Sequence, residues 1–336
     1  MKKTILVLGG AGYIGSHTSY LLYQKGYSVL IIDKLLHNQT FDHKWATLIK
    51  ADFSDPDVLA KIFDKYQIYA VMHFAAFIEV GISVQKPAEF YENNVTKTIK
   101  FLDFMLSCNI KKFIFSSSCA IYGNPVEIPM DENHRFDPIS PYGKNKLAVE
   151  FVLQDYAQAY GLEYISLRYF NAAGADLQNF LGEQHNPETH IIPLMLKAIK
   201  ENKTFKIFGQ DYNTFDGTCV RDYIHTKDLA NAHLLALEYL SSGGKSNYFN
   251  LGTGRGYSVK EMTQAAQKIS GKRMNVEVMS RRQGDVDILI ADNKKIKSIL
   301  GWQPQFSSLE NILHSAWEWE NRFYKAGQYL EKTVNV

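Results

Sequence analysis

Short, continuously apolar runs alternate with stretches of helical period through the first half of the chain. Ile5-Leu6-Val7-Leu8 leads into a glycine-rich turn, and a helix follows to about Lys25, where Gly26 stops it. Val29-Leu30-Ile31-Ile32 reads as a second strand ending at Asp33. Asp55-Pro56 has the form of an N-cap followed by proline at the first helical position, which predicts a helix to about Tyr66. Ala70-Val71-Met72-His73-Phe74 reads as a strand, and Phe90, Val95, Ile99, Leu102 and Leu106 then recur at helical spacing. Phe113-Ile114-Phe115 is again a strand. Ser140-Pro141 opens a helix carrying Tyr142 to about Tyr160, and Tyr164 to Leu167 closes the series. Strands lacking polar alternation are buried on both faces, and strands separated by helices pair in parallel. The pattern predicts an α/β fold with a doubly wound parallel sheet.

After Asn171 the rhythm breaks. Residues 174–190 read as a polar loop with Gly174, Gly182 and Pro187, and a mixture of helices and short strands follows. The expected division is a dinucleotide-binding domain over 1–173 and a smaller mixed α/β C-terminal substrate domain over 174–336. Some later segments are expected to return to the first domain. Such a second unit would sit against the carboxyl ends of the parallel strands, where open sheets bind ligands.

Composition narrows the function. The chain has 336 residues, 46% hydrophobic and 21% charged, which excludes a disordered polymer. Its 37 basic and 35 acidic residues leave a formal charge of +2, so no broad positive field argues for nucleic acid or an anionic membrane. Cys108, Cys119 and Cys219 are odd in number and widely spaced, neither a disulfide framework nor a zinc pattern. No metal is expected. The apolar run after Lys2-Lys3 imitates a signal peptide, but Gly9 and Gly10 cut it short and no small-x-small cleavage pattern follows. No run of eighteen apolar residues could span a bilayer. The expected address is the cytoplasm.

The glycine turn carries the first chemical signal. Gly9, Gly12 and Gly15 give a G-x-x-G-x-x-G spacing between a strand and a helix, the first turn of a Rossmann-type unit. Here the chain must turn sharply, admit a pyrophosphate to its backbone and pack helix close to strand. The helix N-terminus then offers unpaired N–H groups to the phosphates. Asp33, eighteen residues beyond Gly15, can accept from both adenosine ribose hydroxyls and repel a 2′-phosphate, which favours NAD over NADP. Lys34 beside it is a cation that would accommodate the extra phosphate. Asp52 is placed to reach the adenine amine, and Phe74-Ala75-Ala76 offers small residues where the chain would pass under a cofactor.

Tyr142 and Lys146 lie four residues apart, on one face of the predicted helix. Ser116-Ser117-Ser118 ends a strand of the same sheet. A tyrosine acting as a base near neutrality must lose about three units from its ordinary pKa of ~10, roughly 4 kcal/mol. One ammonium about 6 Å away supplies roughly 2.8 kcal/mol at an effective dielectric of ~20. A positively charged nicotinamide would supply the remainder, so tyrosine, lysine and oxidised cofactor form one electrostatic unit.

Together the glycines, strand-end serine and Y-x-x-x-K pair resemble the extended short-chain dehydrogenase/reductase family. Within it, residues 12–18, 81–87, 142–144 and 216–225 are similar to segments of the UDP-glucose 4-epimerases, over essentially the whole chain. The resemblance implies a tightly held NAD and a UDP-sugar epimerised at C4 through a 4-keto intermediate. It makes Tyr142 the base, Ser118 a hydrogen-bond donor to the reacting oxygen, and Lys146 a ligand of the nicotinamide ribose. It places Gly9, Gly12, Tyr13, Ile14, Gly15, Asp33, Lys34, Asp52, Phe74, Ala75, Ala76, Asn93, Ser116 and Tyr169 around the cofactor. Arg221 and Arg282 are implied as diphosphate ligands, and Asn171, His190, Ile191, Phe208, Asp285 and Leu289 as walls of the UDP-sugar pocket. A homodimer is implied too, paired through the helices around 89–106 and 142–160.

Several residues depart from the commoner pattern: Ile78, Phe215 and Cys219 replace polar or basic, acidic and glycine residues respectively. Leu289 stands where a tyrosine in some members closes the pocket against an N-acetyl group, which points to UDP-GlcNAc and UDP-GalNAc as further substrates. A 4,6-dehydratase would need an acidic pair after the strand-end hydroxyl, where Cys119 and Ala120 stand. Pentose or uronate 4-epimerases share the machinery, and a non-catalytic NAD sensor would have no use for Tyr142 and Lys146.

Overall fold

The computed structural model describes residues 2–36, 44–178, 180–185, 187–282 and 284–333, with side chains as far as Arg322. In chain order its strands are β1 (Thr4–Leu8), β2 (Ser28–Asp33), β3 (Thr47–Lys50), β4 (Ile68–His73), β5 (Lys112–Ser118), β6 (Glu163–Tyr169) and β7 (Asn171–Ala173). They continue with β8 (Thr204–Phe208), β9 (Val220–His225), β10 (Asn247–Leu251), β11 (Gly256–Ser258), β12 (Asn275–Met279) and β13 (Ile288–Leu289).

Seven of these form the main sheet, in the order β10-β6-β5-β4-β1-β2-β3, with every neighbour parallel. The order reverses beside β1, which is the Rossmann arrangement and puts a ligand crevice at the β1 carboxyl end. The cause is visible in β1 itself, whose five residues are all buried. Two apolar layers flank the sheet: Ile5, Val7, Ile31 and Met72 face the helices Tyr13–Gln24 and Thr226–Ser241, while Leu6, Leu8, Val71 and Phe113 face the other side. The predicted α/β class is the one observed. β10 and the helix Thr226–Ser241, both from the second half of the chain, contribute to the main sheet and one of its covering layers.

The rest is smaller. β11 and β13 flank β9, β7 also pairs with β9, and β8 pairs with β12. A separate apolar cluster of Ile192, Met195, Leu196, Tyr223, Met262 and Leu313 supports them.

The helix signals act where they were read. Asp55 accepts from the amides of Asp57 and Val58 to start the helix Pro56–Lys65, and Ser140 accepts from Gly143 to start Pro141–Tyr160. The periodic stretch around Phe90–Leu106 differs from one continuous helix. It is Val80–Gln85, then Pro87–Tyr91, a five-residue π turn at Glu92–Thr96, and Lys97–Ser107. The π turn buries Asn93 and Asn94, and Asn94 clamps the Phe77 backbone, accepting from its N–H at 2.8 Å and donating to its carbonyl at 2.9 Å. An inserted residue in a helix turns side chains that periodicity alone would send elsewhere.

The helix Pro141–Tyr160 is pinned to the sheet by a buried ion pair. Arg168 in β6, 1% exposed, gives Glu150 bonds from Nε at 3.0 Å and Nη2 at 2.6 Å, and Ser117 Oγ donates to the same carboxylate at 2.5 Å. Removing one partner of such a pair typically costs about 3–5 kcal/mol, because the other charge stays buried. Glu150→Leu is therefore expected to lower the unfolding free energy by about that much in urea titration. Adding Arg168→Met should recover most of the loss; an equally unstable double variant would refute the pairing as the cause.

Candidate active site

The glycine turn is built by contact, and each glycine answers to a different neighbour. Gly9 has φ of +74°, and a β-carbon there would lie 2.6 Å from the Ala75 amide. At Gly15 a β-carbon would lie 2.3 Å from the Gly9 carbonyl oxygen. These two let the turn fold on itself and against Phe74-Ala75 as the chain leaves β4. At Gly12 the nearest atom to a β-carbon would be the Gly9 oxygen at 3.3 Å. The protein itself asks less of this glycine, which is the N-cap of the helix Tyr13–Gln24 and gives it no side-chain cap.

Asp33, at the end of β2, accepts the Ala11 amide on one oxygen at 3.0 Å and the Leu35 amide on the other at 2.8 Å. Each oxygen keeps a further acceptor site. Lys34 turns onto Asp52 at 2.9 Å, and Lys97 meets the same oxygen at 2.5 Å. Burial raises the Asp52 pKa, but the two ammonium groups and Ser54 outweigh it and hold the carboxyl well below its usual range. Ile14 packs under the sheet, and Phe74 lies 4.6 Å from His233, whose ring also meets the Tyr169 hydroxyl at 2.7 Å. Asn93 is buried beside Asn94.

Tyr142 and Lys146 share one face of their helix. Lys146 is buried, donates to the Ser116 carbonyl at 2.7 Å and stands 5.7 Å from the Tyr142 ring centre. Ser118, the last residue of β5, lies near enough to the Tyr142 phenol to favour its ionised form. Ser83 Oγ accepts the Tyr142 amide at 3.2 Å. It lies in the quoted 81–87 stretch, but nothing in the sequence shows it facing Tyr142 from 59 positions away.

A second group converges from residues far apart in the chain. Asp285 braces both arginines, bonding Arg282 Nε at 2.9 Å and standing 3.9 Å from Arg221 Nη2. Arg282 lies 5.1 Å from the Phe208 ring centre, and Leu289 is paired with Arg221 across the β13–β9 ladder. Asn171 donates to the Asp222 carbonyl at 2.9 Å, next door to Arg221. Leu289 also packs on the cluster that holds Cys119 and Leu147, one helical turn beyond Tyr142. His190 and Ile191 open the helix Ile191–Glu201, with the His190 Nδ1 turned to Glu183. Glu183, His185 and Glu188 beside it were missed, although their spacing is plain in the sequence. Of the departures, Phe215 is exposed and Cys219 is buried in the smaller core.

Residues 5–252 match the model of the NAD dependent epimerase/dehydratase family. The chain belongs to that family. It is 48% identical over 327 residues to the UDP-glucose 4-epimerase of Rhizobium meliloti, covering 97% of this chain and 99% of the relative. A crystal structure of UDP-glucose 4-epimerase from Brucella ovis in complex with NAD is similar at a TM-score of 0.89, with 44% identity over 94% of this chain and 98% of that one. The UDP-Glc/GlcNAc 4-epimerase of Campylobacter jejuni is similar at a TM-score of 0.81, with 39% identity, covering 95% and 99%.

Members of this NAD-dependent family need a place for a dinucleotide, and the residues fit one. The side-chain-free turn at Gly12, the uncapped helix end behind it and the fixed Asp33 carboxylate suit a pyrophosphate and a ribose diol. One expectation needs correcting. Lys146 was expected to depress the Tyr142 pKa, but burial pushes the phenol up to about 12, with Ser118 working against it. Burial also pulls Lys146 down to about 7, opposed by Glu150. Desolvation penalises both charged forms.

A lysine held below its unfolded value binds fewer protons folded than unfolded, so stability rises with pH from about 7 towards its ordinary ~10.4. Lys146→Met is therefore expected to melt above the parent at pH 7, by roughly 2–4 °C for each 1 kcal/mol relieved. The gap should close by about pH 10. A constant gap across calorimetric scans at several pH values would refute this.

Proposed function

We propose that the protein interconverts UDP-glucose and UDP-galactose at C4 through a 4-keto sugar, with NAD seated in the crevice at the end of β1. The observation that carries this reading is the meeting of two groups. Cys119, next to Ser118, packs in one cluster with Leu147 of the Tyr142 helix and with Leu289. Leu289 is the residue paired with Arg221 across the β13–β9 ladder, so one small cluster links the phenol's helix to the arginine strand. The chemistry NAD supplies when bound is a reversible store for the C4 hydride. Gly9, Gly12, Tyr13, Ile14 and Gly15 would hold its pyrophosphate and Asp33 its adenosine ribose. Lys146 would hold the nicotinamide ribose.

Tyr142 then takes the proton from the sugar 4-hydroxyl and later returns it, while Ser118 steadies that oxygen. Arg221 and Arg282 grip the diphosphate through forked, charge-assisted hydrogen bonds. Leu289 and Cys119 offer the sugar no polar grip, which leaves it free to turn between its two faces. Dehydration is disfavoured by the same groups: burial pushes the Cys119 thiol up to about 12, so it is neither acid nor base near neutrality.

Purified protein mixed with UDP-galactose and no added cofactor should form UDP-glucose, followed by proton NMR. Tyr142→Phe should cut turnover at least about 1,000-fold, within the range for losing a general base. Stoichiometric consumption of added NADH, or full activity in the variant, would overturn the reading. The same assay with UDP-GalNAc tests the smaller Leu289; undetectable turnover would confine the enzyme to unacetylated sugars.

A homodimer and a reducing cytoplasmic setting complete the proposal. Val84, Tyr91 and Phe151 are 62%, 41% and 49% exposed, on neighbouring helices among which a second copy would pack. All three cysteines are free thiols. Sedimentation should give twice 38.4 kDa, and Val84→Glu with Phe151→Glu should give one chain.

A further inference from the structure

The loop between β7 and the helix Ile191–Glu201 gathers four side chains that the epimerase reading leaves unused as a group. Glu183, His185, Glu188 and His190 each bring one ligand atom to a common point, all within 4.8 Å of one another. His185 Nδ1 stands 3.2 Å from Glu183 and 3.8 Å from Glu188, and His190 Nδ1 stands 3.8 Å from Glu188 and in contact with Glu183. Ligands of a tetrahedral ion with bonds of about 2.0–2.1 Å are themselves roughly 3.3–3.4 Å apart. The 3.2 Å separation is close to that spacing, the two of 3.8 Å lie a little beyond it, and the Glu183–His190 contact would have to open. Two imidazoles with two carboxylates match a zinc donor set in kind and number.

The charge balance points the same way. The side chains of Glu183, His185 and Glu188 are 8%, 10% and 16% exposed, so two carboxylates face each other largely out of water. The two carboxylates lie against His185 and His190, with Glu188 Oε1 also accepting from the Thr189 and His190 amides at 2.7 and 2.8 Å, and balancing their charge takes two positive charges. A divalent ion would supply both charges and leave the imidazoles neutral.

The loop is braced from outside. Trp319 Nε1 donates to the Glu183 carbonyl at 3.0 Å, and a β-carbon on Gly182 would strike the Trp319 ring at 2.3 Å. That contact fixes Glu183 from the long helix Leu309–Thr333. His185 packs edge-on to Tyr13 at 6.5 Å, which joins the loop to the glycine turn. We propose that Glu183, His185, Glu188 and His190 form a structural site for a divalent transition-metal ion of the zinc type, which fastens this loop beside the sugar-nucleotide pocket.

The test uses untagged full-length protein, stripped with EDTA and dialysed. Zn²⁺ should bind at one per chain by elemental analysis and raise the melting temperature, whereas Mg²⁺ should not. Co²⁺ should give the intense visible absorption of a tetrahedral N/O site. Glu183→Gln and His185→Gln should each weaken Co²⁺ binding roughly tenfold or more, the scale on which even supporting residues of metal sites act. Should a variant fail to fold, the stripped wild-type protein decides alone by its Zn²⁺ stoichiometry and Co²⁺ spectrum. Failure to bind either metal, or an unchanged Co²⁺ spectrum in a folded variant, would overturn the site. Neither result bears on the epimerase reading, which UDP-galactose turnover tests separately.

Discussion

The buried carboxylate of Glu150 is the constraint on which the chemistry rests. It binds Arg168 from one strand and Ser117 from the next, and it lies one helical turn beyond Lys146. A helix packed only by apolar contacts can slide or rotate by fractions of a turn at small cost. A carboxylate that must meet both a guanidinium and a hydroxyl in a dry interior cannot, because a missed contact leaves a charge unpaired. With Glu150 fixed, Lys146 falls on the Ser116 carbonyl and Tyr142 on Ser118. Arg168 extends the network outward by donating to the Tyr122 hydroxyl at 2.8 Å, and Tyr122 in turn donates to Asn250 in β10 at 2.6 Å. The edge strand β10 is thereby tied to the segment that follows Ser118.

Burial that fixes these side chains also silences them. A phenol near 12 stays protonated at ordinary pH and a lysine near 7 carries only part of its charge there, so the chain's own groups do not make a ready base. This follows from placing two ionisable groups in one dry pocket, where each pays desolvation and their mutual attraction is smaller than the sum. The family's oxidised cofactor carries positive charge, and a pocket of low polarity magnifies such a charge. The same burial that disfavours an isolated phenolate would strengthen it in the presence of that cation.

Much of the fold was legible because its signals are local. Four apolar residues before a glycine turn, Asp55-Pro56 and Ser140-Pro141 each specify an element without reference to distant residues. The glycine turn, Asp33 and the Tyr142–Lys146 spacing were legible for the same reason. What was not legible depends on packing. The π turn at Glu92–Thr96 reorients Asn93 and Asn94 against periodicity, and Ser83 reaches Tyr142 only through the assembled helices. The pKa shifts of Tyr142 and Lys146 hinge on how much water each loses, which sequence spacing does not record. Lys34 was read as open to a phosphate, yet its ammonium is engaged by Asp52, a neighbour made by the sheet.

The smaller part of the molecule shows how such a site can hold one end of a ligand and release the other. Asp222, next to Arg221, accepts from Thr253 N at 2.8 Å, Gly254 N at 3.0 Å and Ala291 N at 3.3 Å. Its carboxylate sits so close to Gly252 that a β-carbon there would approach to 2.5 Å. One buried acid thus draws the glycine-rich 252–256 segment and the chain after β13 onto β9, and Arg221 and Leu289 inherit fixed positions from it. On the proposed reading, Arg221 and Arg282 would meet the diphosphate while aliphatic and thiol groups would meet the sugar. A diphosphate gripped by two guanidinium groups and a ring that meets few directional partners can share one pocket. In the proposed reaction the ring could turn because rotation would break no strong hydrogen bond, while the diphosphate would stay held by two guanidinium groups that Asp285 keeps in place.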